Sequence, residues 1–421
     1  MLGLDDLLTR QVARFHSQAS RYLSVFLLYK ILISGVSYGI LVFFVSRIAG
    51  YSITTARPII LLGLSLIPES LGSTGQAHLI AHERFGVSLL AGILSSLIKI
   101  VGGTLALLNG AGLDGVAWVW IGGSSIGAIV NLLWAIQISK PLNLNTVFIK
   151  SFWIENLKLA VPFISIGLLL ALEYQLDVII LSLVRNEAEV SWYTAATTIY
   201  FSLALLVQSF RNAIYPVMIL YQNTSPDKLA RVYDLALSFL SILALPMAAG
   251  LILLSPSIVT LIYKKEFLGA VVPLQIISCS LVFYYLNVPN IRLMLVHEKQ
   301  NWITAFQVCS LAVNVVLNLL LDPRLGATGA SIARLAAILT FFIPNYLYVT
   351  RKFHKHNLLH SLAKPALATI VMALGLWFIR DWNIWLAILI GFSIYWITLL
   401  IIRGLTQEER TWLRQLILEQ K

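Results

Sequence analysis

The sequence predicts an all-α, polytopic helical membrane fold of about twelve transmembrane helices, and three observations carry that reading. Hydrophobic residues make up 58% of the chain and charged residues only 12%. That is half the charge of a typical soluble domain, about 25%. The apolar residues are gathered into runs of about 20, the length that crosses a hydrocarbon core of roughly 30 Å. The runs are continuous, unlike the short alternating segments of a membrane β-barrel.

The elements follow in chain order. Residues 1–22 are polar, but Leu4, Leu7, Leu8, Val12 and Phe15 fall on one helical stripe, with Asp6, Arg10 and Arg14 opposite. That spacing predicts an amphipathic surface helix. Four spans are expected near 23–48, 58–78, 87–108 and 115–138, followed by a polar connection over 139–158. Six more are expected near 159–183, 192–220, 234–257, 270–292, 303–322 and 327–350. A last pair covers about 360–379 and 384–402, and a charged, amphipathic tail closes the chain at 403–421.

Positive charge sets the expected orientation. With the N-terminus cytoplasmic, nineteen of the thirty Lys and Arg residues, Arg292 among them, fall in inner segments and seven in outer ones. The remaining four lie within spans. Both termini are therefore assigned to the cytoplasm, although Lys264 and Lys265 in one outer loop run against the bias. No expected loop is long enough for a folded catalytic domain. The net charge of +11 reads as a membrane signal rather than a nucleic-acid one. Cys279 and Cys309 both sit in apolar runs and read as packing residues. Without a Cys-x-x-Cys or a Cys/His cluster, neither a metal site nor a cofactor is expected.

Two stretches, residues 159–218 and 261–339, resemble the polysaccharide repeat-unit flippases. These are the O-antigen and exopolysaccharide flippases of the multidrug/oligosaccharidyl-lipid/polysaccharide exporter superfamily. The matching elements are Pro162-Phe163, Asp177, Tyr193, Ala196, Tyr215-Pro216, Tyr263 to Phe267, Asn314 to Asn318, and Pro323 to Ala330. Two positions depart from the family pattern. Lys264 replaces its usual Gly, and Arg334 stands where a small or hydroxyl residue is common. The resemblance implies two pseudo-symmetric lobes of six helices around a central cavity, often with two further C-terminal helices. On that template residues 23–138 form an N-lobe of only four spans, 159–350 a C-lobe of six, and 351–402 the additional pair. The expectation is that the first helical hairpin of the template is missing here. The alternative is a twelve-span variant that starts with an interfacial helix.

Charges inside a bilayer cost roughly 2.5–3.5 kcal/mol each on insertion scales, so they usually face a cavity or a partner. The candidates are Lys30, Glu69, Lys99, Glu173, Asp177, Arg211 and Arg334. Glu173 and Asp177 lie four apart, on one helix face. They read either as a proton or sodium coupling site or as structural partners of Arg211, Arg334 or Lys99. The resemblance implies an anionic lipid diphosphate as cargo, and Lys99, Arg211 and Arg334 are the candidate ligands of its head group. Each could instead neutralise the acidic pair. Lys30 reads as snorkelling. Glu69, next to Pro68, lines a helix break or packs locally. Pro162, Pro246 and Pro344 lie within or at the start of spans, where they kink helices or serve gating. The small residues of 326–333 read as close helix packing, not a phosphate loop.

The functional expectation is a non-enzymatic flippase in the bacterial cytoplasmic (inner) membrane. Its cargo would be an undecaprenyl-diphosphate-linked oligosaccharide, moved by ion-coupled alternating access for surface polysaccharide synthesis. Membrane lipids, a polysaccharide polymerase and chain-length proteins are the expected partners, with no nucleic acid. The rivals are a multidrug exporter, a peptidoglycan-precursor flippase, and a non-transporting component or polymerase of a polysaccharide assembly system.

Overall fold

A computed structural model describes residues 4–139 except 83, positions 154, 156, 159, 164, 171 and 172, and residues 175–402 except 223 and 381. Every regular element among them is helical. The chain divides into two compact units, residues 1–174 and 175–421.

In the first unit, α1 (Leu4–Arg14) carries the expected amphipathic stripe. Leu4, Leu7, Leu8 and Val12 are almost fully buried, packed with Val25, Phe26, Tyr29 and Ala77. Relative to water, each such side chain contributes about 1.5–3 kcal/mol. Phe15 does not join them and is 40% exposed. The α-helix has ended one residue earlier, and a 3-10 turn follows at His16–Gln18. Lys30 does not snorkel. It lies on α2 (Ala19–Arg47), its side chain 4% exposed, and pairs with Asp5 of α1 at 3.0 Å.

The expected span 58–78 is broken. It forms α3 (Ile53–Gly63) and α4 (Leu66–Ala81), separated by a tight turn in which Leu64 N–H donates to Leu61 C=O and Ser65 N–H to Leu62 C=O. The break precedes Pro68 by three residues. The next hairpin comprises α5 (Phe85–Leu97), a π-helical turn at Ile98–Gly102, α6 (Gly103–Leu108) and α7 (Gly112–Ile138). Helices α4 and α7 approach closely: a Cβ on Gly75 would meet the Asn131 backbone at 2.9 Å. Small residues permit this approach, where packing rather than water exclusion drives association.

In the second unit, α8 (Gln175–Val184) is followed by α9 (Glu187–Ala204), whose N-cap Asn186 accepts from Glu189 N–H at 3.0 Å. The expected span 192–220 also breaks, at Leu205, before α10 (Leu206–Gln222). Then come α11 (Pro226–Tyr263), α12 (Val271–Val296), α13 (Gln300–Leu325), α14 (Ala327–Lys352), α15 (Leu358–Ile379) and α16 (Ile384–Ile401). The main core joins α9, α11 and α12 through Tyr200, Leu240, Leu274, Ile277 and Tyr285. A second cluster joins α10, α11, α12 and α14 through Ile214, Tyr233, Leu286 and Phe342.

Among the described residues nine helices are long and apolar enough to cross a membrane. The chain is thus an all-α, multi-pass membrane protein, and nine of the twelve expected spans appear as single long helices among the described residues. Two of the other three are the broken segments 53–81 and 187–222. The third, 159–183, is described only in part. Pro246 and Pro344 sit inside helices that continue through them. Arg292, expected in a loop, lies on α12. Glu173, Pro162, most of the connection 139–158 and the tail 403–421 lie outside the described residues.

Candidate functional site

Apart from Lys30, paired with Asp5, and Glu173, outside the described residues, the charged residues expected inside the spans fall into three clusters, one in the first unit and two in the second.

In the first unit, Lys99 occupies the π-turn of 98–102, a local widening of the helix often found at functional positions. Gly123 of α7 makes room for its stem, since a Cβ there would lie 2.9 Å from Lys99 Cγ. Lys99 Nζ donates to Glu69 Oε1 at 3.2 Å. The same oxygen accepts from Trp120 Nε1 at 3.1 Å and Ser124 Oγ at 2.9 Å. The ammonium also lies 4.6 Å from the Trp120 ring centroid. Lys99 and Glu69 therefore neutralise one another, and their side chains are 17% and 30% exposed.

In the second unit, Asp177 of α8 is fully buried and meets three donors. Arg334 Nε of α14 lies 2.7 Å from its Oδ2. The Tyr193 hydroxyl of α9 donates to the same oxygen. Asn318 Nδ2 of α13 donates to Oδ1 at 3.0 Å. The Arg334 guanidinium also stacks over Phe201, 5.7 Å from its ring. Arg334 is thus the counter-ion of Asp177, one of the two arrangements the sequence left open.

Asp322 was not singled out by the sequence reading. It follows Asn314 and Asn318 at intervals of four, so the three polar side chains line one face of α13. All three are buried. Neither carboxylate oxygen of Asp322, nor Oδ1 of Asn318, nor either side-chain amide atom of Asn314 has a hydrogen-bond partner among the described residues. The charged groups acting on Asp322 are Asp177, Arg185 and Glu189. Two carboxylates thus lie in this buried cluster, and all four of its unpaired oxygens, two from Asp322 and one each from Asn314 and Asn318, are acceptors. Such a site favours a proton or a small cation, because one of two close carboxylates must be neutralised.

The backbone around this pocket is tied at a corner. Arg185 Nε donates to the Asp322 carbonyl at 3.0 Å and its Nη2 to the Pro323 carbonyl at 2.9 Å. Glu189 Oε2 accepts from Ala327 N–H at 3.2 Å. Gly326, with φ 57°, links α13 to α14, and a Cβ there would overlap the Glu189 carboxylate. Gly329 brings the two helices together, as the small-residue reading expects; a Cβ would lie 2.8 Å from the Leu321 carbonyl.

The third cluster is cationic. Arg211 of α10 and Arg292 of α12 are half-buried and close enough to repel one another. Arg292 lies over the Tyr215 ring at 5.0 Å. The Nε of each is buried with no acceptor among the described residues. No carboxylate among them is within salt-bridge distance of either arginine. Two guanidiniums held together with no carboxylate partner among the described residues are chemically suited to an anion, and their planar forks match phosphate oxygens.

Helices broken near charged residues and buried ionisable groups inside a multi-pass bundle define the architecture. Solved structures with the same architecture agree. The chain is similar to lipid II flippase MurJ in an inward closed conformation (TM-score 0.77, 17% identity, covering 95% of this chain and 89% of that one). It is also similar to an inward-facing multidrug resistance MATE family transporter of the MOP superfamily (TM-score 0.65, 14% identity, 83% and 86% covered). A MATE structure in the bent conformation matches at a TM-score of 0.55 with 16% identity, covering 86% and 84%. These likenesses establish a MOP-like fold. No curated protein matches the sequence. The chain belongs to the polysaccharide biosynthesis protein family, whose profile matches residues 2–272.

Proposed function

We propose that this protein flips undecaprenyl-diphosphate-linked oligosaccharide repeat units across the bacterial cytoplasmic membrane, with both termini on the cytoplasmic side. The observation that carries this reading is the Arg211–Arg292 pair, two half-buried cations with no counter-ion among the described residues. A diphosphate supplies the missing charge and several acceptor oxygens at once. Membership of a polysaccharide biosynthesis family and a flippase-like fold support the cargo.

The roles of the other charges follow from their partners. Lys99 and Arg334 already have carboxylate partners, so they stand behind Arg211 as head-group ligands. They serve the diphosphate only when Glu69 or Asp177 is itself neutralised. Asp177 and Asp322, in place of the sequence pair Glu173 and Asp177, form the ion-coupling site. A cation held by Asp322 and shared with Asp177 would compete with Arg334 for that carboxylate, which links ion binding to the packing of α8, α13 and α14. Polymerase and chain-length proteins would act on the product. A lipid-linked peptidoglycan precursor has the same diphosphate chemistry and is the nearest alternative cargo. A cationic-drug exporter is disfavoured, because the arginine pair would repel its substrate.

The test is the leaflet occupied by undecaprenyl-linked saccharides in a host lacking this gene. Completed repeat units should accumulate on the cytoplasmic face. Wild-type protein should clear them, whereas a variant carrying Arg211→Gln and Arg292→Gln, expressed at the same level, should not. Accumulation cured equally well by the double variant would remove the arginine pair from the mechanism. No accumulation, with surface polysaccharide unchanged, would favour another cargo or a non-transporting role.

A further inference from the structure

A group of side chains that shares no residue with the clusters above converges on one point. Asp234 lies in the third turn of α11. His354 and His356 belong to the five-residue connection between α14 and α15. His354 Nε2 lies 2.9 Å from Asp234 Oδ1 and 3.1 Å from Oδ2. His356 Nδ1 lies 2.7 Å from the same Oδ1. The three ligand-type atoms are all within 4.8 Å of one another.

We propose that Asp234, His354 and His356 form a binding site for a divalent transition metal ion of the zinc class. This does not depend on the transport reading, and no Cys or His spacing in the sequence suggests it.

Three arguments support the proposal. The first is geometry. Tetrahedral zinc with bonds of roughly 2.0–2.1 Å places its ligand atoms about 3.3 Å apart. The two contacts to Oδ1, at 2.9 and 2.7 Å, need only widen by about 0.4 and 0.6 Å to reach that spacing. The second is ligand type. Two imidazoles and a carboxylate suit zinc, cobalt and nickel, whereas magnesium and calcium prefer oxygen ligands throughout. A fourth position remains for water, since Asp234 is 42% and His354 26% exposed.

The third argument is the support around the ligands. His356 Nε2 lies 3.1 Å from Ser361 Oγ, which fixes the ring and presents Nδ1 to the ion. The Tyr346 hydroxyl donates to the His356 carbonyl at 2.9 Å and accepts from Leu358 N–H at 3.2 Å. The Tyr233 ring stands edge-on to both imidazoles, at 5.9 and 5.8 Å. The connection is therefore braced before any ion arrives. Arg351, Lys352 and Lys355 flank it but are exposed, so solvent screens their charge. A bound ion would pin the α14–α15 connection to α11.

The test uses the full chain in detergent micelles, tag removed and metal stripped with a chelator, titrated with cobalt. One equivalent should give the ligand-field absorption of tetrahedral cobalt, and zinc should displace it. His354→Ala and His356→Ala should abolish the signal. Ser361→Ala, which spares all three ligands, should weaken binding about tenfold or more. His82→Ala, in the separate histidine group of His16, His78 and His82, should leave it unchanged. The proposal is overturned if the wild-type protein shows no stoichiometric tetrahedral cobalt, or if the signal survives in His356→Ala. Either result would leave the cluster as hydrogen bonds to a shared carboxylate.

Discussion

Two of the carboxylate–cation pairs among the described residues, Asp177–Arg334 and Glu69–Lys99, are built differently. Asp177–Arg334 is sealed, with side chains 0% and 5% exposed. Glu69–Lys99 is half-open, at 30% and 17%. In sequence the four residues look alike: each is a charge in an apolar run. The difference lies in the surroundings. Asp177 draws donors from three other helices, whereas Glu69 shares one oxygen among a lysine, an indole and a hydroxyl. A sealed pair holds helices in a fixed arrangement, because neither charge can be left alone. An open pair can exchange its partner for water or cargo at small cost.

The largest effect should therefore come from stranding one charge of the sealed pair. Asp177→Leu leaves Arg334 buried without its counter-ion and should cost about 3–5 kcal/mol. Adding Arg334→Met should restore much of that loss, although Tyr193 and Asn318 then lack their acceptor. Thermal unfolding in micelles, measured for both single variants and the double, checks this. Equal losses in all three would show that the ion pair itself is not what holds the helices.

A second variant probes the carboxylate beside the sealed pair. Asp322→Asn removes a charge that has no partner among the described residues. It should be neutral or stabilising by about 1–2 kcal/mol. Transport should at the same time lose its dependence on the driving ion, measured in proteoliposomes with imposed proton or sodium gradients. A large loss of stability would mean that Asp322 is paired and would separate it from coupling.

Lys264 serves as a comparison in which burial plays no part. It ends α11 with φ 68° and ψ 179°, a conformation almost reserved for glycine, at the position where the resembling family has one. Lys264→Gly should stabilise the protein by about 1 kcal/mol. A lower melting temperature would show that the lysine side chain makes up for its backbone strain.

The smallest effect should come from the open pair. Lys99→Met should cost about 1 kcal/mol or less, because Glu69 keeps Trp120, Ser124 and access to solvent. A loss as large as that of Asp177→Leu would erase the distinction drawn above.

Local chemistry was legible in the sequence; long-range pairing was not. The stripe Leu4, Leu7, Leu8 and Val12 is buried as its spacing requires, and Phe15 escapes only because the helix stops at Arg14. The break at Leu64–Ser65 was hinted at by Pro68, although its place just after Gly63 was not, and the break at Leu205 left no mark, because no glycine or proline sits there and an apolar run looks the same whether or not it turns. Asp177 was visible as a charge in a span, but its choice of Arg334 depends on how α8 meets α14. Asp322 was overlooked because Pro323 follows it, which makes the segment look like a loop beginning. Asp234 lies 120 residues or more from the histidines it meets, and no spacing rule reaches that far.

The corner at Arg185, Glu189 and Gly326 has a mechanical meaning. One arginine grips two carbonyls at the end of α13, and one glutamate holds the first turn of α14. Helices α8, α9, α13 and α14 consequently share a single fulcrum. Any stroke of this unit must swing them as one lever, with the displacement growing toward their far ends. A crosslink at the corner should leave such a machine running, and the same crosslink at the opposite ends should stop it.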